Sequence, residues 1–299
     1  MATAVVPRGL AARVPRPRPG WPLLVPGALL LVLVLVIPFA SLAGSAFSPG
    51  GVGQVGVGGG FTLEHFERLF TTSLYRRALV DSVIIGGGTA VLAVTLGYPV
   101  AYVLANTRSV KWVVILTALL LIPFQLTAAV RIFGLIALLG DNGLINRALV
   151  GEGVVGQPLP LMYNRFGVFV GTIEFMLPFV VFSLVGAMKA IDPQLMQAGR
   201  SLGSPYWRTF LRVVLPLSVP GVVAASLIAF TLTVSDFTVP NLLSAYSVQP
   251  LPSLLDQQVI VTADFRFAAA LGVTLVLVSL VAVAVSYWML RRIARAARA

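Results

Sequence analysis

The 299-residue sequence has no cysteine and a single histidine, His65. The absence of cysteine excludes disulfide bonds, thiol chemistry and thiolate metal sites. A lone histidine argues against a metal site built on histidines and against a Ser–His catalytic pair. The sequence also contains neither G-x-x-x-x-G-K-[ST] nor H-E-x-x-H, so the chain has no P-loop with which to hydrolyse ATP. We therefore predict no enzyme activity, no catalytic residue, no metal and no cofactor.

Charged residues are also scarce, at 10% of the chain, whereas 58% of the residues are hydrophobic and the mean hydropathy is +0.96. A soluble domain of this size needs more polar surface than this composition provides. Several apolar runs are long enough to cross a hydrocarbon core of roughly 30 Å as helices. We therefore predict an all-α membrane protein with six transmembrane helices. The predicted spans are residues 22–46, 78–105, 113–138, 166–188, 218–240 and 268–290.

Basic residues are concentrated in alternate segments between the predicted spans, which hold 14 of the 21 Lys and Arg residues. They are Arg8, Arg13, Arg16, Arg18, Arg108, Lys111, Lys189, Arg200, Arg208, Arg212, Arg291, Arg292, Arg295 and Arg298. In the opposite loops the basic residues are offset by acidic ones. The positive-inside rule therefore predicts that both termini and residues 189–217 are cytoplasmic. The net charge of +11 then reports topology rather than a nucleic-acid partner.

The predicted organisation is a basic cytoplasmic tail (1–21), a transmembrane domain (22–290) and a second basic cytoplasmic tail (291–299). The first span has an apolar run of about 20 residues, longer than the 7–15 of a cleaved signal peptide, so we expect it to be retained. The Gly-rich stretch 48–60 predicts a flexible surface loop. Residues 61–70 predict a short interfacial helix with Thr62 as its N-cap.

The segment 192–216 lies between the fourth and fifth predicted spans and contains three arginines in an otherwise apolar part of the sequence. Asp192 followed by Pro193 is typical of a helix start, and Gly203 is suited to the left-handed residue that ends one. Pro205 then precedes a second helix. The apolar stripe expected on that helix is formed by Trp207, Phe210, Leu211 and Val214. We predict a helix-turn-helix at the cytoplasmic surface, shaped to sit in a groove of another protein.

The residue pattern of this segment resembles a known cytoplasmic motif. Gln197-Ala198-Gly199 is followed by three residues, then Gly203, nine residues, Val213, one residue and Leu215-Pro216. This spacing resembles the E-A-A, three residues, G, nine residues, I-x-L-P motif of the inner-membrane permease subunits of ABC importers. Gln197 replaces the family's Glu and Gly199 replaces its second Ala. The resemblance implies that two ATPase subunits bind this segment. The residues that it implies for ATPase coupling are Gln197, Ala198, Gly199, Gly203, Tyr206, Arg208, Val213, Leu215 and Pro216.

The resemblance extends over most of the chain, which is similar to the spermidine/putrescine-type branch of these permease subunits. It is carried by "FTLEHFERLF", "LGYPVAYVLA", "GDNGLINRAL", "EFMLPFVVFSLVGAMKAID" and "SDFTVPNLLS". It implies a type I ABC importer permease fold in the bacterial inner membrane and import of a polyamine or similar organic cation. The implied partners are two cytoplasmic ATP-binding subunits, a second permease, an extracytoplasmic substrate-binding protein and membrane lipid.

Other functions stay open at this point. A permease of the same family for another solute (phosphonate, ferric ion or sugar) has the same pattern. A gradient-driven secondary transporter predicts internal repeats, which the sequence lacks. A membrane-embedded enzyme needs catalytic groups clustered at one depth, which scattered carboxylates do not supply. A scaffold that has lost coupling through Gln197 is the last alternative.

Ionisable residues inside predicted spans mark candidate sites, because each costs about 2.5–3.5 kcal/mol at mid-bilayer on insertion scales. Arg131, Glu174 and Asp236 are the three candidates, and Asp81 lies at the start of the second span. Arg131 is expected either to pair with Glu174 or Asp236 or to line a solute pathway. Gln125 and Phe237 are candidate lining residues of the same pathway. The net negative charge of these four ionisable groups would suit a cationic solute.

Overall fold

The computed structural model describes residues 21–245 and 247–296, which form helices and loops without a β-strand in those ranges. Most of the basic tails, including Arg8, Arg13, Arg16, Arg18 and Arg298, lies outside the described residues. Within the described part, six stretches are long and apolar enough to cross a membrane, as predicted. The elements are α1 (Trp21–Leu31), a π-helical turn (Val32–Val36), α2 (Ile37–Ala46), α3 (Glu64–Thr71), α4 (Ser73–Asn106), α5 (Val110–Gln125), α6 (Ala128–Leu139), α7 (Leu144–Gly151), α8 (Arg165–Lys189), α9 (Pro193–Ser201), α10 (Tyr206–Thr209), a second π-helical turn (Phe210–Val214), α11 (Leu215–Ser235), α12 (Thr238–Leu243), α13 (Leu251–Ile260) and α14 (Phe265–Ala296).

The core of the bundle is formed by α4, α8 and α11, which pack closely along their lengths. Small residues make this approach feasible, because they let helix backbones come together without a driving force from water. A Cβ on Gly97 would lie 3.2 Å from Val180 and Val181, and one on Gly86 would lie 2.5 Å from Val234. The "IGGGT" stretch (85–89) therefore acts in packing, as its small residues suggest.

The third predicted span, 113–138, is wrong as a single helix. The chain instead breaks between α5 and α6, where Leu126 and Thr127 are extended. Pro123 weakens the end of α5 because it has no N–H to donate, and the Thr127 side chain accepts from the Val130 N–H at the start of α6. The third stretch of membrane-crossing length is Ala128–Gly151, which contains α6, a turn and α7.

The fifth predicted span, 218–240, differs from the structure at both ends. The second helix of the 192–216 segment is not separate from it, because one helix runs from Tyr206 to Ser235 through the π-helical turn. At the other end the helix stops at Ser235, and Asp236 and Phe237 form a break before α12. Because the helix is continuous, movement of its first residue, Tyr206, is passed directly to its membrane-spanning part.

The first span lies at the periphery of the described bundle. It contacts α14 through α2, and its side chains from Val25 to Leu42 are exposed. An apolar helix with so little packing of its own must be covered by lipid or by another protein.

The Gly-rich loop 48–60, predicted to be flexible, is tied down in the structure. It surrounds the guanidinium of Arg266, a side chain that is 7% exposed and donates to the Pro49 carbonyl and to Gln54 Oε1. Gly50 has φ +141°, and a Cβ there would lie 1.8 Å from Arg266 Nη1. A Cβ on Gly58 would lie 2.7 Å from Arg266 Nη2, so glycine is required at these two positions by the close approach of the loop to the arginine.

The predicted interfacial helix is present as α3. The prediction of Thr62 as its N-cap is wrong, because the helix begins at Glu64 and Leu63 is the N-cap residue; Thr62 Oγ1 still accepts from the Glu64 N–H at 3.2 Å. His65 and Leu69 are buried, whereas Phe61 and Phe70 are exposed. The buried histidine ring nitrogen Nε2 is 3.1 Å from the Ser48 carbonyl, so this residue anchors the loop rather than a ligand.

Candidate functional site

The 192–216 segment has the predicted helix-turn-helix form at one end of the bundle. Asp192 Oδ1 accepts from the Gln194 N–H at 2.8 Å and caps α9. Gly203 has φ +81°, the left-handed conformation expected of it, and nothing lies within 4 Å of the position of an added Cβ. The cap, the proline start and the glycine turn are therefore confirmed. The turn between α9 and α10 is held by backbone hydrogen bonds, from the Gly203 N–H to the Arg200 carbonyl at 2.9 Å and from the Ser204 N–H to the Gly199 carbonyl at 3.3 Å.

Gly199 lies where α9 crosses α10. A Cβ at this position would lie 2.6 Å from Thr209 Cγ2, and Thr209 is 2% exposed. The two helices can pack this closely because Gly199 has no side chain. The resembled motif has alanine at this position, and the glycine of this chain makes room for the threonine on the facing helix.

The outward face of the segment combines apolar and polar side chains. Leu202 is 88% exposed, and Trp207 is 59% exposed. The other exposed residues of this face are Leu195, Ala198, Arg208 and Leu211. Gln197, Arg200 and Tyr206 are also exposed, and they line a cavity on the side of the segment that faces the bundle. The predicted stripe of Trp207, Phe210, Leu211 and Val214 is wrong as one surface, because the π-helical turn changes the helical period. Phe210 and Val214 instead face the bundle.

The residues at the end of the 197–216 motif lie nearer the membrane-spanning helix than those at its start. Val213 is half-buried, and Leu215 and Pro216 lie at the start of α11. They connect the segment to the span, whereas Gln197, Ala198 and Arg208 lie on its exposed part. Gly199 and Gly203 form the crossing and the turn.

The three ionisable residues of the spans lie near the two helix breaks. Arg131 Nε is 4.0 Å from Glu174 Oε2, so of the two partners that the sequence left open, Glu174 forms the ion pair. The Arg131 guanidinium also lies 4.6 Å from the centre of the Phe175 ring. The side chains of Arg131 and Glu174 are 10% and 30% exposed. The ion pair is therefore largely buried, and Glu174 keeps some exposure to the surroundings.

Asp236 has one carboxylate oxygen in use and one without a partner. Its Oδ1 accepts from the Thr238 N–H at 2.9 Å, which caps α12. Its Oδ2 is buried and has no hydrogen-bond partner among the described residues, and the same holds for Thr233 Oγ1 one turn earlier. Phe237 follows in the break and is 43% exposed. A buried carboxylate oxygen without a donor at membrane depth is costly, and this marks Asp236 as a candidate functional residue.

Aromatic side chains surround the first break. Phe124 stacks on Phe175 with ring centres 5.8 Å apart, and Phe179 meets both edge-on. Gln125 is exposed beside them. A cavity of about 240 Å³ between α4, α5 and α8 reaches Arg131 and Glu174. The described residues contain no group of His, Asp and Glu side chains placed to hold a metal ion.

Asp81 belongs to neither break. It pairs with Arg165 at 2.5 Å, at the end of the bundle opposite the 192–216 segment. Arg165 therefore neutralises the negative charge of Asp81, which the sequence alone could not assign to a partner. The structure instead reveals polar residues that the sequence did not single out, Tyr98 and Tyr102, which contact the 192–216 segment. Their i, i+4 spacing in "LGYPVAYVLA" places them on one helix face, and that is the signal that could have found them.

Comparison with known proteins agrees with this architecture. The family model for the binding-protein-dependent transport system inner membrane component matches residues 93–299, more than half of the chain. The chain belongs to this family, whose members are the membrane-spanning permease subunits of ABC importers. It is thus a multi-pass inner-membrane protein without a catalytic site of its own.

Individual relatives show which members of the family this chain is similar to. The spermidine/putrescine transport system permease protein PotB of Haemophilus influenzae is 26% identical over 256 residues, covering 86% of each chain. The PotB protein of Escherichia coli K12 is 31% identical over 218 residues, covering 73% of this chain and 78% of that protein. A bacterial ABC transporter that imports the acidic polysaccharide alginate has a similar fold, with a TM-score of 0.72 at 17% identity, covering 91% of this chain and 94% of that chain.

Proposed function

We propose that this chain forms half of the solute pathway of an ABC importer for a polyamine or similar organic cation, and that ATPase subunits drive it through the 192–216 segment. The observation that carries the coupling role is the exposed apolar face of α9 and α10, joined by a hydrogen-bonded turn and continuous with α11. A helix-turn-helix that exposes Leu202 at the end of α9 and Trp207 in α10 is suited to a protein groove.

The orientation that this function needs is supported by charge. Arg108 and Lys111 follow α4, Lys189 ends α8, and Arg291 and Arg292 lie near the end of α14, on the side of the bundle where the 192–216 segment lies. By the positive-inside rule, this distribution supports a cytoplasmic position for this side and for both termini. Cytoplasmic ATPase subunits would meet the segment there, and a substrate-binding protein would dock at the opposite end.

A second permease is supported by what this chain leaves uncovered. The backbone breaks at 126–127 and 236–237 leave polar groups without helical partners, and hydrocarbon cannot satisfy them. Irregular backbone at membrane depth is tolerated where it faces protein or water. Gln125, Phe237 and Glu174 lie partly exposed at these breaks. We infer that this face meets the second permease and lines the pathway between them.

The cationic solute is supported by the relatives' names and by charge. The PotB proteins are named for spermidine and putrescine transport. In this chain Arg131 and Glu174 neutralise each other, and Asp236 adds a single negative charge with an unpartnered oxygen. An ammonium group is the complementary donor. A pathway for an anion such as molybdate or phosphonate would need the opposite charge.

The coupling role is tested by co-purification of the ATPase subunits with membrane-inserted chain. We expect wild type to retain them and both Gly203→Pro and a deletion of 197–203 to lose them, because Pro cannot adopt the left-handed φ of Gly203. Gly153→Pro is the matched control, since Gly153 has φ +70° and open surroundings in a loop of the opposite end. Loss of the subunits from the control as well, or retention in Gly203→Pro, would contradict the role.

The solute is tested by uptake of radiolabelled putrescine and spermidine into vesicles containing the whole importer. We expect Asp236→Asn to reduce uptake at least about tenfold while ATPase subunits stay bound, because one buried charge pairing with a substrate ammonium is worth about 1.5–3 kcal/mol. Equal uptake by wild type and Asp236→Asn would remove Asp236 from the pathway. Absence of polyamine uptake by wild type would redirect the search to other solutes.

A further inference from the structure

The three core helices are attached to the 192–216 segment in different ways. α8 is joined to α9 by the short link 190–192, and α11 is a continuation of the helix that begins at Tyr206. α4 has no covalent connection to the segment, because it ends at Asn106 and the chain leaves it for α5. Any movement that the segment passes to α4 must cross a side-chain contact.

Such a contact is present at the end of α4. The hydroxyl groups of Tyr102 and Tyr206 are hydrogen-bonded to each other. Between them and the bundle, the Phe210 ring meets the Tyr102 ring edge-on with centres 5.0 Å apart, and the Tyr98 ring likewise at 6.0 Å. The Tyr98 hydroxyl is 2.8 Å from that of Ser218, which is fully buried. We refer to these five residues as the tyrosine contact.

The tyrosine contact is positioned where it can change. Phe210 begins the π-helical turn, a local departure from α-helical geometry of the kind found at functional sites. Tyr206 is 51% exposed. A cavity of about 210 Å³ lies beside it, between the ends of α4 and α8 and the inner side of α9, with Met188 and Met196 in its wall. α9 therefore has room to move toward the bundle, and the contact lies at the margin of that space.

We propose that Tyr102 and Tyr206 are positioning residues that carry movement of the 192–216 segment to α4. This proposal rests on the proposed coupling function and extends it to the one core helix that the backbone does not connect. All three core helices then respond together when an ATPase subunit displaces the segment. Because coupling between binding free energies is reciprocal, docking of the binding protein and binding of the ATPase subunits should affect each other through the same contact.

The test measures how strongly the substrate-binding protein stimulates ATP hydrolysis by the complete importer in lipid nanodiscs, a readout that a purely structural role would leave unmoved. Tyr102→Phe removes one hydroxyl and keeps the ring. We expect the stimulation to fall about two- to tenfold, the range expected for one hydrogen bond. ATPase subunits should co-purify with this variant as with wild type, since Tyr102 lies on α4, away from the exposed face of the segment.

A double variant and a control separate transmission from general damage. Tyr206→Phe is combined with Tyr102→Phe, and if both act through their shared hydrogen bond the double variant is no worse than the more damaging single one. Tyr287→Phe is the control, because Tyr287 on α14 is 53% exposed and takes no part in the contact. It should be stimulated like wild type.

The outcomes are distinct. Stimulation of Tyr102→Phe at the wild-type level would overturn the proposal, as would effects of the two substitutions that multiply in the double variant. Loss of the ATPase subunits from Tyr102→Phe would also overturn it, since the tyrosine would then support docking rather than transmission. If wild-type chain itself binds no ATPase subunit, the proposed coupling function fails first, and the positioning role falls with it.

Discussion

The crossing of α9 and α10 makes a sharp prediction about Gly199. An alanine there would place its Cβ 2.6 Å from Thr209 Cγ2, whereas ordinary contact begins at 3.4 Å. Thr209 cannot turn aside easily, because it is 2% exposed, β-branched, and donates its hydroxyl to the Pro205 carbonyl at 3.3 Å. Overpacking of this kind costs about 1–3 kcal/mol.

The same substitution also brings a gain. Alanine is favoured over glycine in a helix by about 0.8–1.0 kcal/mol. The net destabilisation of α9 is therefore about 0–2 kcal/mol, with a central value near 1 kcal/mol. At RT of about 0.6 kcal/mol that value corresponds to a roughly fivefold larger equilibrium constant for opening of the helix.

The assay is amide hydrogen exchange of residues 193–201 in detergent or nanodiscs, read by mass spectrometry. We expect Gly199→Ala to exchange roughly fivefold faster than wild type. The companion variant is Gly199→Ala combined with Thr209→Ser, which removes the methyl group Cγ2 and keeps the hydroxyl. Its exchange should return to the wild-type rate or below it, since the clash is gone and the helix gain remains.

The result that refutes this reasoning is specific. Exchange of Gly199→Ala roughly fivefold slower than wild type, the effect of the helix gain alone, would show that α9 and α10 adjust without cost. An equally fast double variant would show that Thr209 is not the group that Gly199 avoids. Either outcome would remove the packing explanation for the glycine at this motif position.

Two further predictions concern other parts of the chain. Gly50→Ala should reduce the yield of folded protein and lower its melting temperature in a fluorescence-detected size-exclusion assay, because the new Cβ overlaps Arg266; Gly51→Ala, with open space around it, should behave like wild type. Equal behaviour of the two would contradict the close packing of the loop. Glu174→Gln should lower the amount of membrane-inserted protein by leaving Arg131 uncompensated, at a cost of about 3–5 kcal/mol if the pair is fully buried and less at the observed exposure. Combining it with Arg131→Gln should restore part of the loss, and a double variant worse than the single one would exclude an ion pair.

Local patterns predicted the parts of this fold that depend on neighbouring residues. The spans at α4, α8 and α14 extend the predicted limits by a few residues, since hydropathy over about 20 residues reports membrane crossing whatever the helices pack against. The helix start at Asp192 and the turn at Gly203 were predictable because caps and left-handed glycines act within one turn of the chain.

The candidate pathway was predictable only in part. Arg131, Glu174 and Asp236 stand out because charge in an apolar run is costly. Which carboxylate faces Arg131 depends on the relative rotation of α6, α8 and α11, and sequence periodicity does not determine that rotation. The break at Leu126–Thr127 was missed because the apolar run continues across it, although Pro123 and Thr127 were visible signals.

By itself, therefore, the sequence determined a six-span membrane protein and the helix-turn-helix at 192–216, because these follow from composition and local backbone chemistry. Only the tertiary structure decided that the Gly-rich loop closes around Arg266, that Gly199 is matched by Thr209, and that Tyr102 meets Tyr206. These contacts join residues distant in the chain, and they exist because the packing of whole helices brings particular side chains within a few ångströms of one another.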